Sequence, residues 1–247
     1  MGAGPGPEGL LTVRAAELLA AADVVVTDRL VPPGVLAALP PHVTVLDVGK
    51  VPRGPSTRQK DINAALVEHA RAGRRVVRLK GGDPYVFGRG FEEVAALRAA
   101  GIEPEVVPGV SSAVAAPALA GIPLTHRGIA HEAVIVSGHL PPGHPASLVD
   151  WTALARLRGT LVLLMAVENV AKIGATLLEH GRPGDTPVAV VERAGAPEQR
   201  VLGGDLSGLE VLVAAEQVVP PAVIVVGAVA GLRTVPRRPL EVADAHR

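Results

Sequence analysis

The 247-residue chain sets 24 Lys and Arg against 24 Asp and Glu, contains no Cys, and is 48% hydrophobic but only 2% aromatic. It is long enough to bury a substantial core in one large domain or two medium ones. Balanced charge gives no global steering toward nucleic acid or anionic membrane, one Trp, one Tyr and two Phe are too few to stack bases, and the absence of Cys excludes disulfides, thiolate nucleophiles and Cys-based zinc sites. No apolar run approaches the ~20 residues of a membrane span. The start, MGAGPGPEGLL, lacks the charged and apolar regions of a secretion signal, so a cytoplasmic protein is the expectation.

Gly2 to Gly6 forms a glycine-rich turn of the kind that leaves a strand, yet only Met1 stands ahead of it. Leucines at 10, 11, 18 and 19 predict a helix over Leu10–Ala22, feeding a short buried strand, Val24–Val26, with Asp28 just past its carboxyl end. Val43–Val48 reads as the next strand. A basic Pro/Gly loop follows, carrying Lys50 and Arg53, and Arg58 lies just beyond it. Ser56-x-x-Gln59 has capping-box spacing before a helix that stops at Gly73. Val76, Val77 and Leu79 form a β-branched apolar run, cut off by Gly81-Gly82. Phe91–Ala100 is the following helix and Glu105–Val107 a short strand. Alternating strand and helix predicts a parallel sheet over residues 1–108.

Pro108-Gly109 marks the expected domain boundary, with Ser111 and Ser112 capping a small-residue helix after it. Residues 109–233 then read as a second α/β domain with a mixed sheet. Its strands are predicted at Ala133–Ser137, Thr160–Met165, Pro187–Glu192 and Ala222–Gly227, with Gln199–Gly203 antiparallel to a neighbour. Helices are predicted near Trp151–Leu157, Val170–His180 and Gly208–Glu216. Residues 234–247 read as a polar tail.

Ligands of open α/β sheets sit beyond the carboxyl ends of the strands. Asp28, Lys50, Asp83, Arg89, Glu92, Ser111 and Arg127 all follow strand ends or open helices. Lys50, Arg58, Arg89 and Arg127 together suit a ligand with several carboxylates. Other chemistry is poorly supported. Pro5 and Pro7 spoil a dinucleotide fingerprint, and no phosphate loop is present. His139 and His144 lie in a loop whose spacing fixes no metal geometry, so no metal is expected.

The motif order GAGPG, TDRLV, VGK, RLKGGDPYVFGRG, VPGVSSA and GIPLTHR resembles the uroporphyrinogen-III C-methyltransferases of the tetrapyrrole methylase superfamily, from Gly2 to about Val229. The resemblance implies an α/β homodimer, two domains per chain, with S-adenosylmethionine in a cleft between them. It implies methylation of two pyrrole carbons, C2 and C7, of uroporphyrinogen III to give precorrin-2, on the way to sirohaem and cobalamin. Cofactor contacts would fall on Pro5, Gly81, Gly82, Asp83, Val86, Ser111, Ser112, Met165 and Ala194. Asp28 and Lys50 match a proton-handling pair, Arg127 a catalytic or substrate-anchoring position, and Arg58, Arg89 and Glu92 substrate contacts. The alternatives are methylation of a later precorrin, or binding of S-adenosylmethionine or a tetrapyrrole without turnover.

The chain departs from the family pattern at four places. The family's first strand is missing ahead of Gly2, and Gly6-Pro7-Glu8-Gly9 displaces the usual acidic residues. Phe91 stands where glycine is usual and is expected to reshape the substrate pocket. Ala166 replaces a glycine and is expected to crowd the cofactor by one methyl. With no dehydrogenase or ferrochelatase domain fused, later sirohaem steps are expected to need other proteins.

Overall fold

All four residues of β1 (Val24–Thr27) are buried, as the middle strand of a parallel sheet requires. In the computed structural model, which describes residues 1–49 and 58–233, β1 lies between β2 (Thr44–Asp47) and β3 (Val76–Leu79). Val25 stands opposite both Val45 and Val77. Strand alternation sends Val25, Val77 and Leu79 to one face, where they pack with Leu19, Val31 and Val35. Val24 and Val26 go to the other, against Ile62 and Leu66. Because the strands are parallel, Thr27, Asp47 and Leu79 end at one edge of the sheet. Lys50, Arg53, Ser56 and the tail from Thr234 lie outside the described residues.

Helix α1 (Val13–Ala20) begins later than the leucine spacing predicts. Thr12 accepts the Ala15 N–H at 3.1 Å and sets its start, while Leu10 belongs to a preceding 3-10 turn, Glu8–Leu10. A short helix, α2 (Pro33–Ala37), was not foreseen; proline at its first position is pre-set for helix. In α3 (Gln59–Arg71) the capping position is held by Arg58, so the Ser56 capping box does not describe its start. Helix α4 spans Gly90–Ala99.

Glu105–Val107 is not a strand. Val107 accepts one N–H, from Gly2 at 3.1 Å, and no ladder follows. Met1–Gly4 instead runs beside the continuation of β3: Lys80 N–H donates to Met1 at 3.1 Å and Ala3 N–H to Lys80 at 2.7 Å. The outer side of β3 borders a cavity of about 350 Å³ lined by Leu18, Val76, Val94, Leu97 and Ile102.

The chain forms two units, Met1–Ala115 and Ala116–Arg247. They divide inside α5 (Ser112–Leu119), just ahead of its internal Pro117, rather than at Pro108-Gly109. The reason is bonding: Val107 is tied to Gly2, and Gly109 N–H donates to Asp83 Oδ2 at 3.0 Å, so this stretch stays with the first sheet.

The second unit holds β4 (Ala133–Ser137), α6 (Trp151–Arg156), β5 (Thr160–Leu164), α7 (Val170–Glu179), β6 (Pro187–Glu192), β7 (Arg200–Asp205), α8 (Leu209–Ala215) and β8 (Ala222–Val226). The sheet order is β4-β5-β8-β6-β7, with β4 parallel to β5 and every other pair antiparallel. Both β5 and β8 are buried along their length and pack Leu161, Leu163 and Ile224 against Trp151, Ile173 and Leu177. Since β5 and β6 each oppose β8, they point the same way. Met165 and Ala194 therefore follow strands that end at one edge of this sheet.

Candidate active site

Three glycine segments distant in sequence meet past the end of β3. Gly82 N–H donates to Gly4 at 2.7 Å, and Gly4 N–H donates back to Gly82 at 3.3 Å. A β-carbon on Gly2 would stand 2.4 Å from the Gly82 oxygen and 2.5 Å from Gly109 Cα, so main chains touch where no side chain fits. Asp83 fastens the junction, accepting the Tyr85 N–H through Oδ1 at 2.8 Å and the Gly109 N–H through Oδ2 at 3.0 Å. Thus Pro5, Gly81, Gly82, Asp83, Ser111 and Ser112 come from segments that the fold brings together. Ser111 Oγ accepts the Ala113 N–H at 3.2 Å and caps α5; Ser112 is its first residue. Val86, half-buried, closes the turn after Asp83 with an N–H directed at its carbonyl.

Asp28 lies beside this junction. Its Oδ1 accepts N–H groups from Leu30 at 3.1 Å and Gly81 at 3.4 Å. Its Oδ2 faces Arg78 at 3.7 Å. Behind it, Glu93 Oε1 accepts from Arg78 Nε at 3.0 Å, Lys80 Nζ at 3.1 Å and Gln59 Nε2 at 3.2 Å. The Arg78, Lys80 and Glu93 side chains are only 11%, 7% and 5% exposed, against 26% for Asp28. Burial, then the charge of Arg78, pushes the Lys80 ammonium pKa below its ordinary value. Reading the sequence for site residues missed Arg78, Lys80 and Glu93. The available signal was a pair of cations inside an otherwise apolar strand run, since buried charge must be paired.

The exposed face of the following turn is aromatic and charged. Tyr85 and Phe91 meet edge to face with ring centroids 6.3 Å apart. Phe91 is 66% exposed, so its ring lies on the surface of this unit. Phe87 and Arg89 have φ of 54° and 58°, a region bulky side chains rarely enter. Arg89 holds Glu92 bidentately at 2.8 and 2.7 Å, which lowers the Glu92 pKa and raises that of Arg89. Arg58 is likewise engaged, with Asp61 at 3.0 Å. Of the four cations proposed for an anionic ligand, two are therefore already in exposed ion pairs. Lys50 lies outside the described residues. Arg127 is exposed in the turn closed by His126 and Ala130, and its guanidinium has no partner among the described residues.

In the second unit, Met165 follows β5 with φ 56° and is 47% exposed. Arg193, next to Ala194 past β6, has φ 49°. Strained main chain persists only where surrounding structure enforces it and concentrates at functional sites. Ala166 does not point outward. It is fully buried, and a β-carbon on Gly138 would stand 2.6 Å from its methyl, so the extra carbon is absorbed by the core opposite a glycine.

The family model of the Tetrapyrrole (Corrin/Porphyrin) Methylases matches residues 1–210. The chain belongs to this family. It is 44% identical over 235 residues to the S-adenosyl-L-methionine-dependent uroporphyrinogen III methyltransferase of Methanosarcina barkeri, covering 95% of this chain and 92% of that one. It is 45% identical to a sirohaem synthase of Zymomonas mobilis, of which it spans 49%. Among solved structures, the uroporphyrin-III C-methyltransferase of Thermus thermophilus complexed with S-adenosylhomocysteine matches with a TM-score of 0.78 and 42% identity. The match covers 94% of this chain and 97% of that one. A cobalt-precorrin-4 methyltransferase matches at 0.82 with 28% identity.

Gly82, at φ 66°, packs against the start of α5: a β-carbon there would stand 3.7 Å from Ser112 N, in ordinary contact, and its backbone conformation is one that suits glycine. Among the described residues of this tetrapyrrole methylase, no helix is long and apolar enough to cross a membrane.

Proposed function

We propose that this chain methylates uroporphyrinogen III at C2 and C7, using S-adenosylmethionine, to give precorrin-2. The observation that carries the reading is the meeting of Gly2–Gly4, Gly81–Asp83 and Gly109–Ser112 in one junction beside the carboxylate of Asp28. In each transfer the pyrrole carbon supplies the electron pair of the new carbon–carbon bond. The methyl–sulfur bond breaks with its pair going to sulfur, which leaves S-adenosylhomocysteine, and the ring proton departs to a base. Orientation supplies much of the acceleration and the base a further 10²- to 10⁴-fold or so.

Asp28 is the base in this reading, because its Oδ2 carries no hydrogen bond among the described residues. Arg127, whose guanidinium has no partner among the described residues, anchors a substrate carboxylate, with Lys50 and Arg58 assisting. Arg89 and Glu92 exchange their surface pair for substrate, a cheap exchange because exposed ion pairs are worth only about 0–1 kcal/mol. Pro5, Val86 and Ser112 contact the methyl donor. The enzyme works as a cytoplasmic homodimer, which light scattering on the purified chain checks.

The test is anaerobic incubation with S-adenosylmethionine and enzymatically generated uroporphyrinogen III. The expected outcome is a dimethylated product with an isobacteriochlorin-type spectrum after oxidation. A folded chain that binds S-adenosylhomocysteine but transfers no methyl group overturns the proposal. The likeness to a cobalt-precorrin-4 methyltransferase favours one second reading, a later corrin precursor as substrate. Product mass with each substrate decides between them.

A further inference from the structure

The Arg78–Lys80–Glu93 cluster is an expensive thing to bury. Desolvating three charged groups costs several kcal/mol per ion before pairing, and apolar residues of similar volume commonly serve a core as well or better. Stability is therefore a poor reason for it. The cluster also has a direction. Its interior end is Glu93, 5% exposed, and its outer end is Asp28, the one carboxylate of the group with substantial access to solvent.

Arg78 connects the two ends, and each of its nitrogens is committed. Nε donates to Glu93 at 3.0 Å. One terminal nitrogen donates to the Val26 and Leu79 carbonyls at 3.1 and 2.9 Å, and the other faces Asp28 at 3.7 Å. A guanidinium held this way has one orientation. At 3.7 Å it is too far to hydrogen-bond Asp28 Oδ2 but close enough to act on its charge. Oδ1 is occupied by the Leu30 and Gly81 N–H groups. The result is a carboxylate fixed through one oxygen, with the other charged, oriented and free to accept a proton.

We infer that Arg78 is a positioning residue for Asp28, and that Glu93 holds Arg78 in place. This rests on the proposed role of Asp28 as the base. The charged groups around Arg78 are Asp28 after β1, Lys80 after β3, Glu93 on α4 and the Met1 ammonium. Removing Arg78 leaves the Asp28 carboxylate held through one oxygen only, so the loss falls on the orientation of the base and hence on kcat, not on binding. A purely structural cluster has no such signature.

The experiment measures kcat and both KM values for Asp28→Asn, Arg78→Met, Arg78→Lys and Glu93→Gln, with S-adenosylhomocysteine binding as the check on folding. Arg78→Met is expected to lower kcat about 10- to 100-fold with KM values little changed. Glu93→Gln, which loosens Arg78, is expected to lower kcat by less, and Arg78→Lys to recover part of the loss, again with KM values little changed. If Arg78→Met does not fold, the last two variants carry the test. Wild-type activity in Asp28→Asn overturns the reading of Asp28 itself. An inactive Asp28→Asn beside Arg78 and Glu93 variants that keep the wild-type kcat, or that lose KM and kcat together, overturns the positioning role alone.

Discussion

Two buried arginines, one in each unit, are satisfied in opposite ways. In the second unit, Arg182 is 5% exposed and has no carboxylate within ion-pair distance among the described residues; it donates to the carbonyls of Leu157, Gly159 and Val226 at 2.8, 3.0 and 3.3 Å. Burial alone depresses its pKa, with Glu132 acting weakly the other way. Every bond it makes goes to main chain, at the end of α6, just ahead of β5 and at the end of β8. In the first unit the buried cations answer carboxylates, and the chain of contacts surfaces at Asp28. The difference teaches that a buried charge reads as structural when its partners are main chain, and as functional when it leads outward.

The sharpest way to break that comparison is Asp28→Asn against Arg182→Leu. The first is expected to lower methyl transfer 10²- to 10⁴-fold while the protein keeps its stability and its affinity for S-adenosylhomocysteine. The second should leave the turnover of folded molecules unchanged. It should cost about 3 kcal/mol in urea unfolding, because three carbonyls lose their donor. Loss of turnover in a stably folded Arg182→Leu protein would erase the distinction between the two units.

How far the sequence reveals this depends on what each feature requires. Strands such as Ala133–Ser137 and Pro187–Glu192 were legible to the residue, because β-branched runs bounded by turns leave little choice. Asp28 and Gly81-Gly82 were placeable at the sheet edge, since strand endings announce themselves. Glu105–Val107 looked like a strand because it has the composition, but a strand needs a partner ladder, which composition does not encode. Arg78 has the alternation of an outward-facing strand residue, and only the arrival of Glu93 from another element makes it buried. The left-handed backbone at Met165 and Arg193 had no sequence signal, because neither residue type favours that region.

A smaller effect tests the electrostatics of the first unit from its other side. In the chain as it begins at Met1, burial and then the Arg78 charge lower the α-amino pKa from 8.0 to about 6, and its ammonium donates to the Arg78 carbonyl at 2.7 Å. A group with a depressed pKa in the fold binds fewer protons folded than unfolded between pH 6 and 8. Stability therefore rises with pH across that window and falls on acidification. The change is about 2 kcal/mol between the two ends. Urea unfolding at pH 6 and pH 8 should show it, and an N-terminally acetylated chain, which has no proton to bind there, should lose that slope. A slope that survives acetylation would assign it to other groups.

The smallest expected effect compares the units through matched helix caps. Thr12 accepts the Ala15 N–H at 3.1 Å at the start of α1, and Asp150 accepts the Ala153 N–H at 2.9 Å at the start of α6. Each satisfies one donor that the first helical turn leaves open, so Thr12→Ala and Asp150→Ala should each cost about 1 kcal/mol. What distinguishes them is where the loss appears. Hydrogen exchange should quicken in α1 for the first variant and in α6 for the second, because a cap acts on its own first turn. Neither variant touches the bonds of Arg78, Glu93 or Asp28, so both should keep the wild-type kcat. A cap variant that lowered kcat would mean that helix fraying alone displaces Asp28, and the fixed geometry attributed to Arg78 would lose its force.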